Sequence, residues 1–147
     1  MELVTERLLL REFVEADWEA VLAYQRHPLY LRYVAWEQRT PDDVRAFVGM
    51  FMAQQQVQPR LKFQWAVVTK ADGRLIGNAG IRREKIDDRE AEIGYEFAPD
   101  VWGRGYATEA ARAVVAYGAT ARSPRLGLVH CREQRLGARA GEARHAA

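Results

Sequence analysis

The sequence predicts an α+β fold, a central and mostly antiparallel sheet flanked by helices. Three observations carry that prediction. Helical stripes and strand-length apolar runs follow one another in the order β-α-α-β-β-β-α. Two of the consecutive strands meet at Asp72-Gly73, a hairpin turn pair. No internal repeat and no linker divides the chain of 147 residues.

Each element has its own reason. TERLLLREF, Thr5 to Phe13, alternates weakly and carries three leucines, as a strand buried on at least one face does. Trp18, Val21, Leu22 and Tyr24 form a helical stripe, opened by Glu15 and Asp17, whose charge complements the helix dipole. A second helix begins at Thr40-Pro41-Asp42-Asp43, with threonine as N-cap, proline at the first helical position and two acids in the first turn. Phe63, Trp65, Val67 and Val68 belong to one strand, and Leu75, Ile76 and Ile81 to the next. Asp87 to Glu90 is a polar turn into the strand AEIGYEFA, and Pro99 stops ladder pairing at its end. In the last helix Ala107, Ala110, Ala111, Val114 and Val115 make an apolar stripe that packs on the sheet.

Composition narrows the function classes. A chain that is 48% hydrophobic at this length fits one domain with a real core. No run of about eighteen apolar residues occurs, and MELVTERLLLREF carries charges where a signal peptide needs an apolar block. A cytoplasmic protein without a membrane partner is therefore expected. The single cysteine, Cys131, excludes an internal disulfide, no Cys/His set has zinc spacing, and no metal is expected. His27, His130 and His145 read as ordinary surface or loop residues. The net charge of +2 resides in the tail: residues 120–147 hold six arginines against Glu133 and Glu142. Residues 1–119 are left with 16 basic and 18 acidic side chains, so no folded basic face is expected for nucleic acid.

The stretch EIGYEFAPDVWGRGYATEAARAVVAYG, Glu92 to Gly118, carries the chemistry. Gly103 and Gly105 can take positive φ and let backbone approach a ligand, and they precede a helix whose free N–H groups and positive dipole end suit a pyrophosphate. Arg104 adds a positive charge at the same place. A Gly-x-Gly pair alone also fits a loop that merely needs positive φ. No Gly-Lys-Ser/Thr follows, and no third glycine completes a dinucleotide fingerprint.

AEIGYEFAPDVWGRGYATEA resembles the acetyl-CoA-binding segment of the GNAT acetyltransferases, in particular the ribosomal-protein N-acetyltransferase (RimJ/RimL-like) branch. TERLLLREF with ADWEAVLAY resembles the N-terminus of that branch, and GRLIGNAGI its third strand, so the resemblance covers roughly residues 4–118. It implies a GNAT-like (acyl-CoA N-acyltransferase) fold, acetyl-CoA as cosubstrate and a primary amine as acceptor. The strand ending near Phe97 and Ala98 would splay from its neighbour and pair with the pantetheine arm. Trp102, Gly103, Arg104, Gly105, Tyr106, Ala107 and Thr108 would wrap the pyrophosphate with main-chain amides. Asp100 departs from the Gln or Arg that often opens this loop.

Acyl transfer to an amine needs a base and donors for the oxyanion, for which strand N–H groups near Phe97 are candidates. Glu92 and Glu96 lie on one face of the strand at a period of two, and either could relay the proton through water. Both also read as exposed strand carboxylates without a role. Tyr95 and Trp36 are candidates to line the acceptor pocket or to sit in the core.

After Gly118 the resemblance stops, and residues 119–147 form an atypical Arg/Ala/Gly-rich tail without strand alternation. Re-read one base later from Leu128, permitted codons spell WSTAANSASARVLEKLGMR, the segment the family would have there. A change of reading frame near Gly118–Thr120 accounts for the tail. A sheet truncated after the third main helix would expose an edge and an apolar face that favour a homodimer or aggregation, with weak or absent activity. Two rival readings are a non-catalytic CoA-binding remnant and a nucleic-acid module using the arginine tail. The acceptor, a protein N-terminus or a small-molecule amine, stays open.

Overall fold

The computed structural model describes residues 1–32, 38–86, 90–120 and 128–136, with the backbone alone described for residue 120 and residues 128–136. Trp36 and the turn at 87–89 lie outside the described residues. Among the described residues six strands form one sheet in chain order: β1 (Glu2–Val4), β2 (Leu8–Glu12), β3 (Lys62–Thr69), β4 (Leu75–Arg82), β5 (Glu90–Phe97) and β6 (Leu128–Leu136). The first five pair antiparallel, and β6 runs parallel to β5. The helices are α1 (Trp18–Gln25), α2 (Pro28–Leu31), α3 (Pro41–Gln54) and α4 (Tyr106–Thr120). No described helix is long and apolar enough to cross a membrane.

The expected α+β order is present, with local differences that have physical causes. Thr5 to Arg7 is a turn rather than strand, closed by Thr5 N–H to Leu8 O at 2.9 Å, and it folds β1 back onto β2. The β3–β4 connection spans Lys70 to Arg74 instead of two residues. Gly73 takes φ 67° there, and its N–H bonds Thr69 O. The Thr69 hydroxyl bonds Asp72, which holds that carboxyl below its ordinary range. The cap of α3 forms as the sequence implies: Thr40 Oγ1 accepts from Asp43 N–H, and the Asp43 carboxylate accepts from Thr40 N–H at 2.9 Å.

The C-terminal expectation is corrected in one respect. The sheet does not end before the tail, because the backbone of Leu128–Leu136 pairs with β5 from Glu90↔Leu128 to Glu96↔Leu136. Backbone pairing requires an open edge more than a side-chain alternation, and β5 without β6 would leave a row of N–H and C=O groups unpaired. A register shift between Glu92 and Gly94 interrupts the ladder.

Strand alternation and register give the sheet two distinct faces. Toward α4 lie Leu10, Phe63, Trp65, Val67, Ala79, Ile81, Ile93, Tyr95 and Phe97, all buried. The α4 stripe of Ala107, Ala110, Ala111 and Val114 is buried with them, and the small alanines let the helix approach closely. Tyr117 of α4 meets Trp65 edge-on at 5.3 Å. Toward α1 the same strands present Gln64, Asn78, Gly80, Gly94 and Glu96, which build the site.

Candidate active site

The α1-facing side of β3, β4 and β5 carries a buried polar network. Glu96 is fully buried and accepts from Tyr24 hydroxyl at 2.5 Å, Gln25 Nε2 at 2.8 Å and Tyr30 hydroxyl at 3.1 Å. Asn78, opposite Glu96 on β4, donates to the Tyr24 oxygen at 2.9 Å, and Gln64 donates to Asn78 Oδ1 at 2.7 Å. The chain of bonds crosses three strands and ties them to α1 and α2. Burial pushes the Glu96 carboxyl up, against the donors that favour its charged form. Burial and the neighbouring carboxylate likewise push both tyrosines above their ordinary range.

Space for these side chains comes from glycine. A Cβ on Gly80 would stand 2.1 Å from the Phe63 carbonyl oxygen and 2.2 Å from Gln64 Oε1, so the backbone admits only glycine where Gln64 lies across β4. Arg82 lies over Gly94 in the same way, with Nη2 3.1 Å from the position of a Cβ. Tyr24 also borders a cleft of 540 Å³ with Ala20, Ala23, His27, Leu75 and Pro99. That cleft abuts the turn leading into the glycine loop.

After β5, Pro99–Val101 makes a single 3-10 turn, and Trp102 folds back so that its indole N–H donates to Phe97 O at 2.9 Å. Gly103 and Gly105 then take φ 79° and 81°, the left-handed region that glycine occupies without strain. Gly105 O accepts from Glu109 N–H at 3.0 Å and opens α4, so the first-turn amides of the helix lie at the loop. A Cβ built on Gly103 meets nothing within 4 Å, so the backbone there is open to a ligand. Two positive-φ glycines, the first-turn amides of α4 and an open backbone at Gly103 fit an anionic group such as a pyrophosphate.

The loop is tied to the N-terminal turn. The Glu109 carboxylate accepts from Thr5 hydroxyl at 2.5 Å, Arg7 N–H at 2.9 Å and Arg7 Nε at 2.7 Å. Arg7 Nη1 reaches Arg104 O at 3.0 Å, and its guanidinium lies 4.3 Å over the Tyr106 ring. Burial opposes ionisation of Glu109, but the bonds from Thr5 and Arg7 prevail and hold its carboxyl below the ordinary range.

The two carboxylates singled out in the sequence share a face but not an environment. Glu96 is sealed under α1 and α2, whereas Glu92 is part exposed and pairs with Arg82 at 3.4 Å. Phe97, Ala98 and Ala107 are buried, Trp102 and Tyr106 pack partly buried against the core, and Arg104 is exposed. Tyr95 is buried on the α4 side. Ala98 N–H donates to Ile76 O, so by alternation the Phe97 N–H points to the opposite edge, toward β6. β5 stays paired with β6 as far as Glu96, opposite Leu136, and the expected splay beyond it falls outside the described residues. Asp100, the departure at the loop's opening, forms a two-bond pair with Arg74 at 2.8 and 2.9 Å, and that bonding holds its carboxyl below the ordinary range. Sequence reasoning missed Tyr24, Tyr30, Thr5 and Arg7 as site residues. The TERL run at the start of β2 was the available signal for the last two.

Comparison with known proteins gives the family and the fold. An acetyltransferase (GNAT) domain family model matches residues 7–139, so the match extends well past Gly118. The uncharacterized N-acetyltransferase YnaD of Bacillus subtilis (strain 168) is 31% identical over 118 residues, covering 80% of this chain and 65% of that protein. The chain thus spans just under two thirds of that relative's length. A GNAT-family acetyltransferase structure from Bacillus anthracis superimposes with a TM-score of 0.67 at 31% identity, covering 81% of this chain and 66% of that one. RimL, a ribosomal L7/L12 alpha-N-protein acetyltransferase solved in complex with coenzyme A, shares the fold with a TM-score of 0.68 at 15% identity, covering 81% and 68%.

Proposed function

Because the chain belongs to the GNAT acetyltransferase domain family, we propose that it transfers the acetyl group of acetyl-CoA to a primary amine. The observation that carries this reading is the loop of Gly103 and Gly105, whose positive-φ backbone and α4 amides form a cradle for a pyrophosphate. Phe97 and Ala98 bring the end of β5 to that loop, and residues Trp102 to Thr108 line it. A CoA-bound relative of the same fold supports the choice of donor. The acceptor is a protein N-terminus or a small-molecule amine.

In the reaction, a neutral amine nitrogen attacks the thioester carbonyl carbon, the C–S bond breaks, and the nitrogen gives up one proton while the leaving thiolate takes one. Glu96 cannot touch an acceptor directly, since it is fully enclosed. Its part is to receive the amine proton by relay: water carries the proton to the buried hydroxyl of Tyr24, a residue that borders the cleft, and that hydroxyl donates to Glu96 at 2.5 Å. A carboxyl raised by burial is a better base near neutral pH than an ordinary one. Glu92, held by Arg82, is the second carboxylate of the strand and the alternative base, open to relay through water.

The test joins binding and turnover. Acetyl-CoA at a hundred times its Kd should stabilise the fold by about 2.7 kcal/mol, raising Tm by roughly 5–10 °C. Thiol release should then depend on an added amine, and Glu96→Gln should lower kcat roughly 10²-fold. An unchanged Tm together with no amine-dependent thiol release would overturn the assignment.

A further inference from the structure

Thr5, Arg7 and Glu109 converge on the glycine loop from three directions, and the reading above gives them no role. Arg7 touches both sides of Gly105: its Nη1 holds the Arg104 carbonyl, its guanidinium covers the Tyr106 ring, and its Nε and backbone N–H hold Glu109 one turn into α4. A peptide unit is planar and trans, so its C=O and N–H point in opposite directions. Fixing the Arg104 carbonyl toward Arg7 therefore turns the Gly105 N–H away from Arg7, where an anion can reach it. Without that bond, two glycines in three residues would leave the loop with more backbone freedom than any other composition.

We propose that Arg7 is a positioning residue for acetyl-CoA capture, and that the Thr5–Arg7–Glu109 clasp presets the Gly103–Gly105 loop in its anion-receiving form. This rests on the acetyl-CoA reading above. Preorganisation removes an ordering penalty from binding and leaves the chemical step alone, so its signature is in affinity. The geometry needs a planar fork, because one side chain must serve the Arg104 carbonyl and the Glu109 carboxylate together. A lysine at the position keeps the charge and loses the fork.

The experiment compares wild type, Arg7→Ala, Arg7→Lys and Glu109→Gln, with Arg60→Ala as control. Arg60 pairs with Glu12 at 2.5 Å outside the loop, so its loss reports an ion pair removed elsewhere. Amide order parameters of Arg104 and Gly105 in the free protein should fall from about 0.85 to below about 0.6 in both Arg7 variants and in Glu109→Gln, but not in the control. Acetyl-CoA affinity should weaken at least about tenfold in the same three variants, and KM should rise by the same factor while kcat at saturation falls less than about threefold. Rescue by Arg7→Lys would overturn the fork, leaving only a charge effect. Wild-type loop order and affinity in Arg7→Ala would overturn the clasp. A wild-type protein that binds no acetyl-CoA overturns the functional reading and the capture role with it, while the order parameters still decide whether the clasp sets the loop.

Discussion

Glu96 and Phe97 are neighbours in β5, yet they face layers built on different principles. On the α4 side Ile93, Tyr95 and Phe97 join Trp65, Phe63 and Tyr117 in a packed apolar layer. On the α1 side Glu96, Asn78 and Gln64 are equally buried, but each is held by directed hydrogen bonds. The apolar layer needs matching volume, and shape-conserving exchanges there are tolerated. The polar layer needs partners: a single missing acceptor strands three donors at once. Burial that depends on volume and burial that depends on partners are thus separated by the thickness of one strand.

Breaking the apolar layer should have the largest effect. Trp65→Ala removes a fully buried indole and should lower unfolding free energy by about 3–5 kcal/mol, read from urea denaturation as a lower midpoint with unchanged slope. A loss under about 1 kcal/mol would mean that the layer is not the main support of the fold. Glu96→Ala should come next, at about 2–4 kcal/mol, because Tyr24, Gln25 and Tyr30 lose their shared acceptor.

Glu96→Gln sharpens the contrast through pH. The folded-state value for Glu96 is raised, so the folded protein keeps this proton to higher pH than the unfolded chain. Its contribution is fully present below the ordinary glutamate range and is lost as pH rises through the raised value. Stability of the wild type should therefore fall over that window relative to Glu96→Gln. Parallel curves for the two proteins would place the titration elsewhere.

The glycine loop should respond on a smaller scale. Gly103→Ala meets no steric obstacle, so its penalty is only that of an L-residue at positive φ, about 1–2 kcal/mol. The smallest effect belongs to Arg74 and Asp100, a surface pair more than two fifths exposed on both sides. Asp100→Asn should change stability by under about 1 kcal/mol. The lowered Asp100 value makes this contribution present above the ordinary aspartate range and lost as pH falls through the lowered one. A pH scan of the double-mutant cycle with Arg74→Ala checks that sign.

What could be read in the chain beforehand follows from the range of each interaction. The α3 cap, the positive-φ glycines and the α4 stripe are set by residues within a few positions, and all were legible. The pairing of Glu92 and Glu96 on one face was legible from period two. Their contrast was not, because Glu96 is sealed by Tyr24 and Tyr30, 72 and 66 residues away. Asp100 departs from the loop pattern in the sequence, and its partner Arg74 comes from the β3–β4 connection, 26 residues away. The side-chain pattern of the tail lacks strand alternation, and β6 forms through backbone groups that such patterns do not report. The family match through residue 139 also crosses the point where the motif resemblance fades. The DNA sequence across codons 115–147 would decide the frame question directly.

The Arg7–Glu109 contact joins residues 102 positions apart. Closing a span of that length has an entropic cost that local turns do not share, and such contacts form slowly. On the ribosome, the turn at Thr5 emerges early and must wait for α4 to be made before its partner exists. Until then the glycine loop is held only at its start, by Trp102 on Phe97 O. The ligand capture proposed for this loop would therefore await the synthesis of α4, set by the order of synthesis as much as by the strength of any bond.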